Sequence, residues 1–343
     1  MLDNQTKPTF QDIAELAGVS TSSVSRVLNN VPPISVELKQ KVIAAAKAVG
    51  YTNFRRPREM EDPGSIAVLI PDGTNPFFTE LGKVMQDQAL RYGFILSTFV
   101  VEQNRDYVRR LIDFLISSNC AGVVVCSSCE GVQDEDLIRL QEALNTPIVQ
   151  IDGRYHIPDM ASIEVDYVKA MQSAVYHLFE LGHRRFAYLG NNGAISQRKF
   201  EGISKALSTK GLEMDEELCI SGLPTIEWGF HGTNTLLDIM AEKKFTAILA
   251  HNDLSAIGAL HAIRQRGLSV PNDLSLVGFD DIAMASHTNP PLTTISTPKY
   301  QMGALAMQLL VQKREHVPVS IDLFTIMESL LVIRDSTGPA KES

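Results

Sequence analysis

Carboxylates recur where predicted strands give way to loops. Asp72 follows the run 66–70, Asp152 follows 147–151, Asn252 and Asp253 follow 246–250, and Asp280 and Asp281 follow 274–278. Carboxylates accept hydrogen bonds from the hydroxyls of a sugar or nucleoside. Phe77 and Phe78, just beyond Asn75, offer aromatic faces for the apolar side of such a molecule. Each Asp could equally be a helix N-cap, Asp253 above all because it opens a helical pattern, and the two Phe could be ordinary core. A second polar set lies near the N-terminus. Thr21, Ser22, Ser25, Arg26 and Asn29 fall largely on one side of a short helical pattern whose other side is Val24, Val27 and Leu28. Against DNA, such hydroxyls and amides reach base edges or phosphates, and Arg pairs with guanine. Away from DNA the same face is a solvated helix surface.

Other chemistries find less support. Cys126-Ser-Ser-Cys129 has redox or zinc spacing, but no second C-x-x-C and no spaced His pair completes it. Two thiols at a strand end are the plainer reading, and four cysteines are too few for a disulfide scaffold. His183, in Leu181-Gly-His-Arg-Arg185, reads as a structural turn residue. There is no H-E-x-x-H, G-x-S-x-G, P-loop or G-x-G-x-x-G. Nothing pairs a nucleophile with a base, so the sequence predicts no enzyme, no metal site and no cofactor.

The elements that must position these residues form two unlike parts. Thr9-Phe-Gln-Asp12 has the form of a capping box, Gly18 can stop that first helix, and Ser20 and Ser35 can cap two more. Three short helices with a Gly-containing turn make a helix-turn-helix over 1–51. Residues 52–64 are charged, contain two prolines and read as a linker. From Ser65 on, apolar runs at 66–70, 94–99, 121–126, 147–151, 185–189, 246–250 and 274–278 alternate with helical patterns such as 78–92, 104–117, 167–181, 198–210 and 253–266. That alternation predicts an α/β body with doubly wound parallel sheets, and its length suggests two lobes. Charge divides the same way. Residues 1–60 carry eight Lys/Arg against five Asp/Glu, a net +3, although the whole 343-residue chain carries −9. A basic head on an acidic body predicts an anionic partner for the head alone. The N-terminus shows no signal peptide and no apolar run approaches membrane length, so a cytoplasmic protein with no membrane partner is expected.

The run TFQDIAELAGVSTSSVSRVLNN resembles the N-terminus of the LacI/GalR family of bacterial transcription regulators. Asp72-Gly-Thr-Asn75-Pro-Phe-Phe78, Leu181-Gly-His-Arg-Arg185, Asn252-Asp253, Val277-Gly-Phe-Asp-Asp281 and Pro290-Pro-Leu-Thr-Thr-Ile295 keep that family's order and approximate spacing. The resemblance implies a two-lobed body like periplasmic sugar-binding proteins, a homodimer on a pseudo-palindromic operator in double-stranded DNA, and a small-molecule effector in the cleft. Crossovers between lobes are expected near 161–163, 289–292 and 319–321. They give a first lobe of 65–161 and 292–319, a second of 162–291 and 320–334, and a frayed tail at 335–343.

By this resemblance the DNA-facing set is Phe10, Ser20, Thr21, Ser22, Ser25, Arg26 and Asn29, joined by Arg58 and Met60 in the linker. The family's Ala-Arg-x-Leu hinge reads Pro57-Arg58-Glu59-Met60 here. Pro inside a helix costs roughly 3 kcal/mol, so a weak or absent hinge helix is expected. The effector-facing set is Asp72, Phe77, Phe78, Asp152, Gln197, Arg198, Lys199, Asn252, Asp253 and Asp280. Lys199 and Gln197 stand where the family places an arginine before a glycine, here Gly202, and Pro224 replaces a common aromatic. A sugar or a nucleoside fits this set, and a phosphorylated sugar would be met by Lys199 or Arg198. The rival expectations are a solute receptor with no DNA role and an α/β enzyme using the cleft carboxylates. No leucine heptad occurs in 326–343, which argues against a zipper-linked tetramer.

Overall fold

The structure, a computed structural model, describes residues 9–28, 35–49, 64–101, 104–118, 120–126, 129, 131–144, 147–153, 157, 160–314 and 324–341. Asn29, Arg58, Met60 and the Pro57 linker lie outside them. The chain divides into two compact units, 1–64 and 65–343.

Among the described residues the first unit holds three helices, α1 (Phe10–Ala17), α2 (Thr21–Leu28) and α3 (Val36–Ala48). Local chemistry sets their ends. Asp12 and Thr9 form the reciprocal capping box, and Gly18 turns at φ 64° to close α1. Ser20 Oγ accepts from Ser23 N at 3.1 Å, and Ser35 Oγ accepts from Leu38 N at 3.2 Å. Ile13, Val24, Val27, Val42, Ala45 and Ala46 are buried together, so the apolar stripes of all three helices meet in one small core.

The second unit contains two six-stranded sheets. The first lobe holds β1 (Ser65–Ile70), β2 (Ile95–Val100), β3 (Gly122–Cys126), β4 (Ile148–Ile151), β5 (Ala161–Val165) and β11 (Phe324–Met327), in the order β11-β5-β4-β3-β1-β2, all parallel. The second holds β6 (Phe186–Gly190), β7 (Cys219–Ser221), β8 (Ala247–Ala250), β9 (Ser275–Asp280), β10 (Thr293–Ser296) and β12 (Leu330–Val332), in the order β12-β10-β9-β8-β6-β7. Only β12 runs antiparallel there. Helices α4 (Pro76–Arg91), α5 (Arg105–Ser117), α6 (Asp134–Leu144) and α12 (Lys299–Arg314) belong to the first lobe. Helices α7 (Tyr167–Glu180), α8 (Ala194–Ser208), α9 (Ile226–Asp238), α10 (Met240–Lys243) and α11 (Asp253–Gln265) belong to the second. Central strands β1, β3, β8 and β9 are apolar almost throughout because helices cover both faces. Helices α9 and α11 press together through glycines: a Cβ on Gly258 would lie 2.0 Å from Ile226 O, and one on Gly229 would lie 2.2 Å from Ser255 O.

The chain changes sheet between β5 and α7, between β10 and α12, and between β11 and β12. The first two passages fall later than the expected 161–163 and 289–292, because β5 and β10 are still strands of the lobe being left. The expected 319–321 lies outside the described residues. The expected frayed tail is corrected for 335–341. Ser336 is fully buried, accepts from Thr293 N at 2.8 Å and donates to Leu276 O at 2.6 Å. Buried His183 bonds Thr246 Oγ1, Ser275 Oγ and Gly338 O, and Ala340 N reaches Leu181 O at 2.7 Å. The segment is held because unpaired groups of β9 and β10 need it.

Candidate functional site

A cleft of about 930 Å³ opens at the carboxyl ends of both sheets. Each lobe contributes loops from its topological switch, between β1 and β3 in one and between β6 and β8 in the other, where open parallel sheets bind ligands. Asp72, Phe77, Phe78, Asp152, Arg198, Lys199, Asn252 and Asp280 all line it. Phe77 and Phe78 meet edge to face at 5.1 Å on the first turn of α4, whose N-cap Asn75 accepts from Phe77 N at 3.0 Å.

Many of these polar groups are already engaged. Asp72 Oδ1 accepts from Thr74 N and Thr74 Oγ1, each at 2.7 Å, leaving its other oxygen unbonded among the described residues. Asp152 accepts from Val165 N at 2.9 Å and from the Tyr167 hydroxyl at 2.7 Å. Burial pushes its carboxyl up to about 6, against those two bonds and the charge of Arg198. Asn252 caps α11 through Ser255 N at 2.9 Å, and its amide donates to Pro224 O at 2.9 Å. Arg198 crosses the cleft to Glu164 at 2.9 Å and also donates to Val165 O at 3.3 Å. Lys199 is 2% exposed, donates to His251 O at 2.6 Å and lies 3.6 Å from the Phe279 ring centroid. Burial pulls its ammonium down to about 8, against Asp280, Asp152 and Asp253.

Asp280 stands apart. No hydrogen bond and no ion pair within 4.0 Å satisfies its carboxylate among the described residues. It is pushed up to about 6, chiefly by burial and further by Asp152 and Glu80, against Lys199 and Lys299. Its backbone sits at φ 106° and that of Asp281 at φ 50°, a conformation that side-chain-bearing residues avoid and that clusters where ligands are held. Lys299 fixes the turn by donating to both backbone carbonyls at 2.7 Å, and Arg334 pairs with Asp281 at 2.7 Å. Beside the cleft, Glu80 of the first lobe bridges to the second through Ala283 N and pairs with Lys299, both at 3.0 Å.

Two expected members are not in the cleft. Gln197 is exposed and points elsewhere, since one helical residue turns the side chain by about 100° from its neighbours. Asp253 is fully buried inside the second lobe, accepting from Thr294 Oγ1 at 2.6 Å and Ile282 N at 2.9 Å. Arg198 and Lys199, the two cations expected to meet a phosphate, are both engaged with protein partners in this structure. Further lining groups went unforeseen, Glu164, Tyr167, Asn191 and His251 among them. Burial and the nearby Lys199 keep His251 well below its usual range, hence neutral. Asn191 accepts from Gly193 N through Oδ1, so its amide donates to His251 Nε2 at 3.4 Å. That leaves Nδ1–H as a buried donor with no partner in the structure. Asn191 and His251 both follow strands, the signal that found the aspartates.

Cys126 and Cys129 are buried free thiols, Cys126 pushed up to about 12 and Cys129 also upward by burial, which leaves little nucleophilic thiolate. Among the described residues no cluster of His, Cys, Asp and Glu could hold a metal, and no helix is long and apolar enough to cross a membrane.

In the head, Thr21, Ser22 and Arg26 are exposed on α2, while Ser20 Oγ lies 2.8 Å from Ser22 Oγ and 2.9 Å from Ser23 Oγ at its N-terminus. Ser25 is half-buried, and Phe10 packs half-buried against the head core. The exposed side of α2 therefore carries hydroxyls and one guanidinium over a rigid three-helix base.

Comparison with known proteins draws these parts together. A family model described as bacterial regulatory proteins, lacI family, matches residues 9–53, and a periplasmic binding protein-like domain matches 175–337. The HTH-type transcriptional regulator MalR of Streptomyces coelicolor is 33% identical, with 96% of each chain covered. The HTH-type transcriptional repressor CytR of Escherichia coli is 29% identical, covering 97% of each. Among solved structures, the lac repressor dimer bound to operator and the anti-inducer ONPF has a TM-score of 0.76 at 26% identity, over 97% of this chain and 100% of that one. A complex of the transcriptional regulator CelR with cellobiose has a TM-score of 0.71 at 26% identity, over 96% and 100%.

Proposed function

Because the chain belongs to the lacI family of bacterial regulatory proteins, a family of DNA-binding transcriptional regulators and not of enzymes, we propose that its cleft binds a small polyhydroxy metabolite that controls its hold on DNA. The unpaired Asp280 carboxylate, at the mouth of a switch-point cleft and on a strained turn, carries the reading. A sugar or nucleoside presents hydroxyls to Asp280, to the free oxygen of Asp72 and to the cleft amides, while Phe77 and Phe78 cover its apolar face. The bound cellobiose of the CelR structure favours a sugar.

Two heads, brought together by a homodimer of the bodies, read two half-sites of a pseudo-palindromic operator. Thr21, Ser22 and Arg26 face the bases. Ser25 and Asn29 hold the backbone, Phe10 and Ser20 also face the DNA, and Arg58 and Met60 contribute from the linker. Ligand between the lobes competes with or reinforces the cross-cleft links Arg198–Glu164 and Glu80–Ala283, and so shifts the lobe geometry that spaces the heads. Such coupling is reciprocal: DNA must alter ligand affinity by the same factor. The protein works in the cytoplasm, where operator and metabolite meet.

Two measurements test this. Selection from a random palindrome library must return one operator, bound with steep salt dependence. A thermal-shift panel of sugars, sugar phosphates, nucleosides and purines must give a hit that Asp280→Ala abolishes. A purified protein that selects no sequence, or a hit indifferent to Asp280, refutes the reading.

A further inference from the structure

The cleft's charges are unequal. Among the described residues Asp72, Asp152, Glu164 and Asp280 line it, against Arg198 and Lys199. Arg198 is spent on Glu164 and on Val165 O, at 2.9 and 3.3 Å. Lys199 is buried at 2% exposure, bound to His251 O and packed against Phe279. Lys299, whose charge also acts on Asp280, is occupied by Glu80 and by the carbonyls of Asp280 and Asp281. His251, which could have become a cation, is held neutral and offers a single N–H. Among the described residues a dianionic group entering here meets carboxylates and finds no uncommitted positive partner, whereas hydroxyl groups find an unsatisfied carboxylate in Asp280.

We propose that the cleft selects the uncharged form of its polyhydroxy ligand and rejects the phosphorylated form. This rests on the cleft being the ligand site, as proposed above. Like-charge juxtaposition inside a partly desolvated site is a strong negative discriminator, here about 100-fold or more in affinity. The signal then belongs upstream of a phosphotransfer step.

The test uses the full chain and matched pairs: ribose, glucose, cellobiose and adenosine, with their relatives, each beside its own monophosphate. Binding is read by calorimetry on the wild type, Asp280→Asn and Glu164→Gln. The expected result is a neutral member bound at least about 100-fold more tightly than its monophosphate and lost in Asp280→Asn. Glu164→Gln frees the Arg198 guanidinium, so it narrows the ratio of neutral to phosphorylated affinity by about 10-fold or more. A monophosphate that binds as well as its neutral partner, and is lost in Asp280→Asn, overturns the charge selection and leaves the cleft reading standing. Silence from every pair, or binding indifferent to Asp280, overturns the cleft reading and the selection with it.

Discussion

Asp280→Asn should make this protein more stable while removing its ligand response. An Asp whose folded carboxyl titrates at about 6 instead of 3.8 costs about 3 kcal/mol of folding free energy once both states are ionised. Water reaching the group through the cleft trims this to about 2 kcal/mol. The sign follows from proton binding. The folded state holds this proton more tightly than the unfolded chain does, so ionisation at neutral pH opposes folding. The penalty is complete above pH 6 and fades as pH falls towards 4. Asn is neutral throughout, keeps the shape and tolerates positive φ as Asp does. Urea titrations followed by the single Trp228, which lies in the same lobe, should therefore show the variant about 2 kcal/mol more stable at pH 7.5, narrowing to about 0.5 kcal/mol near pH 4. Equal stability at pH 7.5, or a gap that does not narrow on acidification, would refute the electrostatic argument. A surviving ligand response would refute the functional one.

Other perturbations probe other parts. Arg26→Ala should cost roughly 1–3 kcal/mol of operator binding and relax preference at one base, read by gel shift across single-base operator variants; an unchanged profile removes α2 from the groove. Gly258→Ala places a Cβ 2.0 Å from Ile226 O and 2.6 Å from Phe230 N, so α9 and α11 must part. Urea melts should show a loss of about 3 kcal/mol or more, and a loss below 1 would mean that the helices separate freely. Ser336→Ala strands the buried Thr293 N–H and Leu276 C=O, and about 2 kcal/mol should be lost with ligand-binding residues untouched. Thr9→Ala breaks the capping box and should cost the head about 1 kcal/mol, seen as earlier helical melting of an isolated 1–64 fragment if that fragment folds.

The head was almost wholly legible because its punctuation is local. Thr9 and Asp12, Gly18, Ser20 and Ser35 each act within a few residues, a range in which sequence spacing fixes geometry. The central strands of the body were legible for a related reason, since burial on both faces writes an unbroken apolar run. Strand ends then pointed to Asp72, Asp152 and Asp280. What escaped needed tertiary information. Glu164 and Tyr167 enter the cleft because the first crossover lies at 166, later than a strand pattern can tell. Asp253 and Gln197 were misplaced by one residue's rotation, Asn252 taking the cap and the cleft wall while its neighbour turned inward. The fate of Arg198 and Lys199 depended on which acids faced them across the gap, and no local pattern records that.

Neither lobe is continuous in the chain, and this governs how the protein can be made. The first sheet lacks β11 and its covering helix α12 until residues beyond 298 have been added, and the second lacks β10, β12 and the 335–341 segment that satisfies Ser275, Leu276 and Thr293. On the ribosome only the head can close early. Both lobes must wait, open at the β5 and β9 edges, for residues 293–341 to emerge, and they complete at nearly the same moment. A chain cut a few residues short thus leaves His183 without one of its partners and the second sheet unsealed. Loss of residues 335–341 should be felt as instability and turnover of the whole regulator, with the head still intact.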